Sequence, residues 1–291
     1  YEDTPDELVH DFFAEKILHG HPIGKPTIGL NETVKSIKRE NILDYQKRWY
    51  APQNTLVSLA GALPSNVIER LRPYIDSWNN ISPTPNPTPM PIPMPPFSGS
   101  INLKKKKTEQ VHLCLGVKGP SQTDEDRYPY AILDNILGGS MSSRLFQEVR
   151  EKRGLAYSIF STSSPFRHFG ISYVYAGTSR ENMEKVIELV LEQFRQIKKE
   201  GISQAELDKA RESLKGSLVL GMESTSSRMS WLARSLFYYD RVMTIDEIFD
   251  KVDKVTNDDI IRLANQFFRD EYLTLAVIGN MDKLPVKELK C

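Results

Sequence analysis

Two cysteines among 291 residues are too few for a disulfide framework. Cys114 lies in a strand-like run and Cys291 ends the chain, which points to a reducing compartment. Net charge is missing as well. Basic and acidic residues each number 38, so no overall field draws the chain to nucleic acid or an anionic membrane. The one basic run, residues 104–107, reads as the solvated entry to a strand. No apolar run approaches the ~18 residues of a membrane span. The five histidines, His10, His19, His21, His112 and His168, stand in no H-E-x-x-H or H-x-x-E-H context. No serine or cysteine triad and no glycine-rich phosphate loop stands out. The residues present show no catalytic apparatus of their own.

Apolar residues at 40% and a length of 291 suit two domains, each able to bury a core. Residues 82–97 hold eight prolines and can form neither helix nor ladder, so they read as a stiff connector. The expected division is 1–81, a linker at 82–98, and 99–291.

An internal repeat at an offset of 218 residues links the two parts. Val34, Ile37, Ile42, Leu43, Tyr45, Trp49, Tyr50 and Gly61 correspond to Val252, Val255, Ile260, Ile261, Leu263, Phe267, Phe268 and Gly279. Each copy predicts a helix followed by a short strand, at 55–61 and 273–279. Applying the offset to residue 101 places roughly 117 residues of the first copy ahead of Tyr1. The first domain is therefore expected to be incomplete and the second complete.

In the second part, 110–118 and 169–177 alternate as strands. Residues 128–137 form a helix with Pro129 in its first turn. Residues 181–200 carry the stripe Met183, Val186, Ile187, Val190, Leu191, Phe194 and Ile197, with Gly201 as the stop. Ser203 with Glu206, and Thr244 with Glu247, form capping boxes. Strands first and helices later predict an α+β class: two related domains, each a largely antiparallel sheet with helices on one face.

The segment 138–158, GGSMSSRLFQEVREKRGLAYS, carries the most chemistry. Gly138 and Gly139 suggest a turn at positive φ, Ser142 or Ser143 a helix cap, and Leu145 with Val149 one buried face. Gly154 marks a helix stop and 155–161 a strand. Arg150 and Tyr157 then stand where a helix gives way to a strand. On the residues alone, a surface pairing of Arg150 with Glu148 or Glu151 is an equally good reading.

This segment resembles the C-terminal domain of the pitrilysin/insulinase family of zinc metallopeptidases, which includes processing peptidases. The resemblance extends over essentially the whole chain. It implies that Arg150 and Tyr157 reach a peptide at the metal in a closed chamber, with Gly138, Gly139, Tyr173 and Tyr175 as further substrate-binding candidates. It implies Zn2+ in the full-length enzyme, with the H-x-x-E-H helix and a glutamate ligand ahead of Tyr1. Glu2 and Glu7 fall downstream of that ligand, so no metal residue is assigned in this chain. His19 and His21, in LHGHPIG, read as a polar loop similar to the H-P-x-G loop of bacterial members. The expected partners are a peptide substrate and a second two-domain unit, as homodimer or heterodimer, without nucleic acid or membrane. The implied setting is the bacterial cytoplasm or, alternatively, the mitochondrial matrix. The competing function is a non-catalytic subunit of the same family that binds substrate or holds a complex together.

Overall fold

The computed structural model describes residues 3–79 and 93–291. In chain order the helices α1 (Pro5–Ile17), α2 (Asn31–Ser36), α3 (Arg39–Trp49) and α4 (Val67–Asn79) come first. Then follow β1 (Ser100–Lys105), β2 (Val111–Gly119), α5 (Arg127–Leu137), a π-wound turn at Phe146–Glu151, β3 (Ala156–Pro165) and β4 (Gly170–Thr178). The chain closes with α6 (Met183–Glu200), α7 (Gln204–Gly221), α8 (Thr225–Tyr239), α9 (Ile245–Asp253), α10 (Asn257–Phe267) and β5 (Thr274–Gly279). Two compact units emerge. Tyr1–Pro26, Met94–Gly216 and Thr244–Cys291 make the first; Thr27–Pro93 and Ser217–Met243 make the second.

The first unit is built on one mixed sheet of order β1-β5-β2-β4-β3. β1 runs parallel to β5, and the other three pairs are antiparallel. Strand alternation sends Leu113, Leu115 and Val117 to one face and Cys114 to the other. The predicted stripe of α6 is buried throughout, and Phe194 stacks on Phe268 with ring centroids 4.1 Å apart. Both predicted capping boxes orient their side chains as expected: Ser203 N–H donates to Glu206 at 2.8 Å and Thr244 N–H to Glu247 at 2.8 Å.

The expected α+β class holds, and the second face of the sheet also carries a helix: it is covered by α1, whose Leu8, Val9, Phe13 and Ile17 pack with Cys114, Tyr175, Ala276 and Ile278. Each such buried side chain contributes about 1.5–3 kcal/mol, so α1 is bound to this sheet by its apolar stripe. The compact units consequently differ from the division at 82–98. Most of that linker lies outside the described residues; near its end, Phe97 is buried against Phe169 at 5.8 Å.

The second unit carries the first copy of the repeat. Val34, Ile37, Ile42, Leu43, Tyr45, Trp49 and Tyr50 are all exposed there, whereas Val252, Val255, Ile260, Leu263, Phe267 and Phe268 are buried in the first unit. The strand expected at 55–61 does not form. Its counterpart β5 is sandwiched between β1 and β2, and among the described residues no strand lies beside 55–61 to complete a ladder.

Candidate functional site

The segment after α5 folds as a closed brace. Ser161 N–H donates to the Gly138 carbonyl at 3.2 Å, and the Ser161 hydroxyl donates to the Asp134 carbonyl at 2.9 Å. β3 is an edge strand, and this brace occupies part of its open side, the usual protection against stray pairing. A Cβ on Gly138 would lie 2.3 Å from the Ser161 nitrogen, and one on Gly139 2.8 Å from the Asn135 Cα. Gly138 has φ −154°, so close approach, and not positive φ, is what requires glycine. This corrects the turn expectation. Gly138 is buried while Gly139 is exposed.

Leu145 and Val149 are fully buried, as predicted. Between and beyond them the chain winds as a π-helix, a geometry in which each bond spans five residues and which recurs at functional sites. Lys152 N–H donates to the Gln147 carbonyl at 3.0 Å, and Leu155 N–H reaches back to the Val149 carbonyl at 2.9 Å. Gly154 follows at φ +61°, the left-handed stop. The serines do not cap this turn. Ser142 contacts Ser140 at 3.2 Å, and the buried Ser143 hydroxyl has no partner.

The charges of the turn are sorted. Arg144 forms a two-pronged bridge to Glu206, at 2.6 and 2.9 Å, which with the Ser203 hydrogen bonds holds the Glu206 carboxyl down at about 2. Glu148 takes both Lys152 and Arg153, the latter at 2.5 Å, and these bonds lower its carboxyl as well. No carboxylate among the described residues pairs with Arg150, whose guanidinium lies over the Phe146 ring, 5.0 Å from its centroid. The surface pairing of Arg150 with Glu148 or Glu151 is thereby not what forms. Tyr157 is 79% exposed and sits at an irregularity of β3, where the register to β4 shifts between Ala156 and Ser158. Bulges of this kind re-aim a side chain.

Tyr173 and Tyr175 lie elsewhere, on the sheet face that α1 covers. Tyr173 packs on Phe13 at 4.7 Å, while Tyr175 is buried, lies 5.0 Å from the His10 ring and contacts His112 Nδ1 through its hydroxyl at 3.0 Å. Burial pushes the Tyr175 phenol up to about 12 and lowers both His10 and His112. These tyrosines contact α1, Tyr175 also packs on Phe160 of β3 at 5.0 Å, and no hydrogen bond among the described residues joins either to Arg150 or Tyr157.

Sequence reasoning missed two residues beside the site. Phe146 was detectable as an aromatic four residues before Arg150. Asp134 gave no signal: burial raises its carboxyl to about 6, and its Oδ1 has no hydrogen-bond partner.

Zinc does not fit the donors present. Among the described residues no group of three or more His, Cys, Asp or Glu is arranged to hold a metal. His21 is buried with Nδ1 taken by the Ile23 N–H at 3.2 Å and its ring edge-on to Phe169, while His10 Nδ1 lies 3.7 Å from the Cys114 Sγ without a third donor. Both cysteines are free. No described helix is long and apolar enough to cross a membrane.

Comparison with known proteins adds a consistent picture. Residues 36–214 match the family model described as "Peptidase M16 inactive domain". The chain is 35% identical over 98% of its length to YmxG of Bacillus subtilis, named an uncharacterized zinc protease, and spans 68% of that protein. It is 33% identical to a Streptomyces coelicolor protein of the same description, covering 96% of this chain and 61% of that one. In fold it is similar to a crystal structure of a peptidase M16 inactive domain from Pseudomonas fluorescens (TM-score 0.85, 23% identity, covering 98% and 68% of the two chains). A protease from Helicobacter pylori is equally similar, with TM-score 0.85 and 23% identity over 96% of this chain and 67% of that one.

Proposed function

This chain belongs to the M16 peptidases, the pitrilysin/insulinase family, matching their inactive domain, and on that premise we propose that it supplies the substrate clamp of a zinc endopeptidase. Arg150 and Tyr157 bind a carbonyl oxygen of an extended peptide. The zinc ligands, in this reading, belong to sequence ahead of Tyr1. Zinc held there would supply the activated water, and this chain would supply the donors to the peptide.

A guanidinium is always charged and a phenol offers one O–H donor. Both bonds strengthen as a peptide carbonyl acquires negative charge, and a preorganised donor of this kind is worth about 3–4 kcal/mol. The observation that carries the reading is that Arg150 is left without a carboxylate in a turn where the other cations with acids nearby are paired. Tyr157, on its bulge, is the matching exposed donor.

The repeat supports the division into 1–81, a linker at 82–98 and 99–291 as parts of a longer two-domain unit. The apolar face of α3 repeats one that is buried in α10, so a sheet like β1–β5 is the cover that suits it. A peptide substrate and a second two-domain unit follow as the partners, and the bacterial cytoplasm as the setting.

The test uses the full-length protein. Arg150→Ala and Tyr157→Phe should each lower peptide turnover by about two to three orders of magnitude, with zinc content unchanged. Unaltered turnover in both variants would remove the clamp. Absence of turnover in the parent, with peptide binding retained, would favour the non-catalytic subunit instead.

A further inference from the structure

We propose that Phe146 is a positioning residue for Arg150, presenting its guanidinium as an uncommitted donor; this rests on the clamp reading above. In the π-turn each hydrogen bond spans five residues, so a side chain sits nearly over those four and five positions earlier. That winding has two effects on one turn. Glu148 meets both Lys152 and Arg153, which commits that carboxylate to cations other than Arg150. Arg150 meets Phe146, with its guanidinium carbon 5.0 Å from the ring centroid.

An aromatic face suits this task because it attracts the cation without using its hydrogen-bond donors. A carboxylate at residue 146 would fix the guanidinium too, but would neutralise it and occupy the fork that the substrate needs. Phe146 is itself half-buried and is followed by the fully buried Val149, so the ring is anchored while Arg150 stays exposed. Arg144, six residues earlier, shows the contrasting arrangement: bridged to Glu206 on two oxygens, it has little capacity left for a ligand.

Two measurements test this. In the 291-residue chain with 15N-labelled arginine, the ring current of Phe146 should displace the Arg150 Nε–Hε resonance. That displacement should be lost in Phe146→Leu and kept in Phe146→Tyr. In the full-length protein, Phe146→Leu should lower kcat/KM about two- to fivefold, Phe146→Tyr should restore it, and adding Phe146→Leu to Arg150→Ala should cost nothing more. Independent, multiplying effects of the two substitutions, or failure of tyrosine to rescue, would overturn the assignment, as would an undisplaced resonance. Should Arg150→Ala leave turnover intact, the clamp reading fails, and the resonance alone still decides whether Phe146 holds Arg150.

Discussion

Replacing Asp134 with asparagine should make the protein more stable at neutral pH and leave it unchanged in acid. Asp134 lies on α5 beneath the Gly138 turn, with Oδ1 buried and unpartnered. Burial lifts its carboxyl from 3.8 to about 6, against a smaller opposing pull from the Ser161 hydroxyl. A carboxyl raised on folding binds its proton more tightly in the folded state. Its favourable contribution is therefore complete below the unfolded value near 4 and is lost as pH rises through 6. Two pH units at ~1.4 kcal/mol each cap the cost of the charged form at about 3 kcal/mol, and local relaxation brings the expected gain to about 1–3 kcal/mol. Asparagine has nearly the same shape and never ionises. Urea unfolding of wild type and Asp134→Asn should diverge between pH 4.5 and 6.5 and run parallel above pH 7. The probe matters: Trp49, Trp78 and Trp231 all fall in the unit formed by Thr27–Pro93 and Ser217–Met243. Far-ultraviolet circular dichroism is the signal to use, because tryptophan emission would follow the other unit. A stability difference that does not vary with pH, or an asparagine variant weaker at pH 7.5, would refute the reasoning.

Gly138→Ala should cost about 1–3 kcal/mol by overpacking, since its Cβ would meet backbone at Ser161; an unchanged thermal midpoint would count against the brace. Glu206→Gln should cost about 1–2 kcal/mol at pH 7 once solvent screening is allowed for. The Glu206 carboxyl is lowered to about 2, so its contribution is present above pH 4.5 and lost toward pH 2, and the gap between variant and wild type should close over that range. A gap that widens in acid would show that Arg144 does not hold Glu206.

Much of the fold was legible because it rests on periodicity. The α6 stripe and the 110–118 alternation name their buried faces directly, and Ser203 and Thr244 mark helix starts by chemistry that acts over three residues. What escaped was long-range. Nothing in residues 5–17 specifies that Phe13 and Ile17 pack on strands a hundred residues away, and 55–61 has the composition of a strand but no neighbour to pair with. Gly138 was noticed for the wrong reason: a sequence displays the glycine, but only the approach of Ser161 explains it. Arg150 and Tyr157 were legible as a pair through resemblance. Their irregular settings, the π-turn and the bulge, leave no periodic trace.

The π-turn also fixes something that no single substitution can reveal, namely how many residues the segment must contain. Val149 is pinned in the core at one end and Gly154 reverses the chain at the other. Shortening the stretch between them by one residue would let it rewind as an α-helix, in which each position turns by about 100°. Either Val149 would leave the core or Arg150 would leave the Phe146 ring. Insertions and deletions should thus be excluded from 145–157 in active relatives, while exchanges at exposed positions other than Arg150 and Tyr157 pass freely. Aligned sequences that keep the arginine and tyrosine but differ in the count between them would mark proteins that lack the proposed clamp.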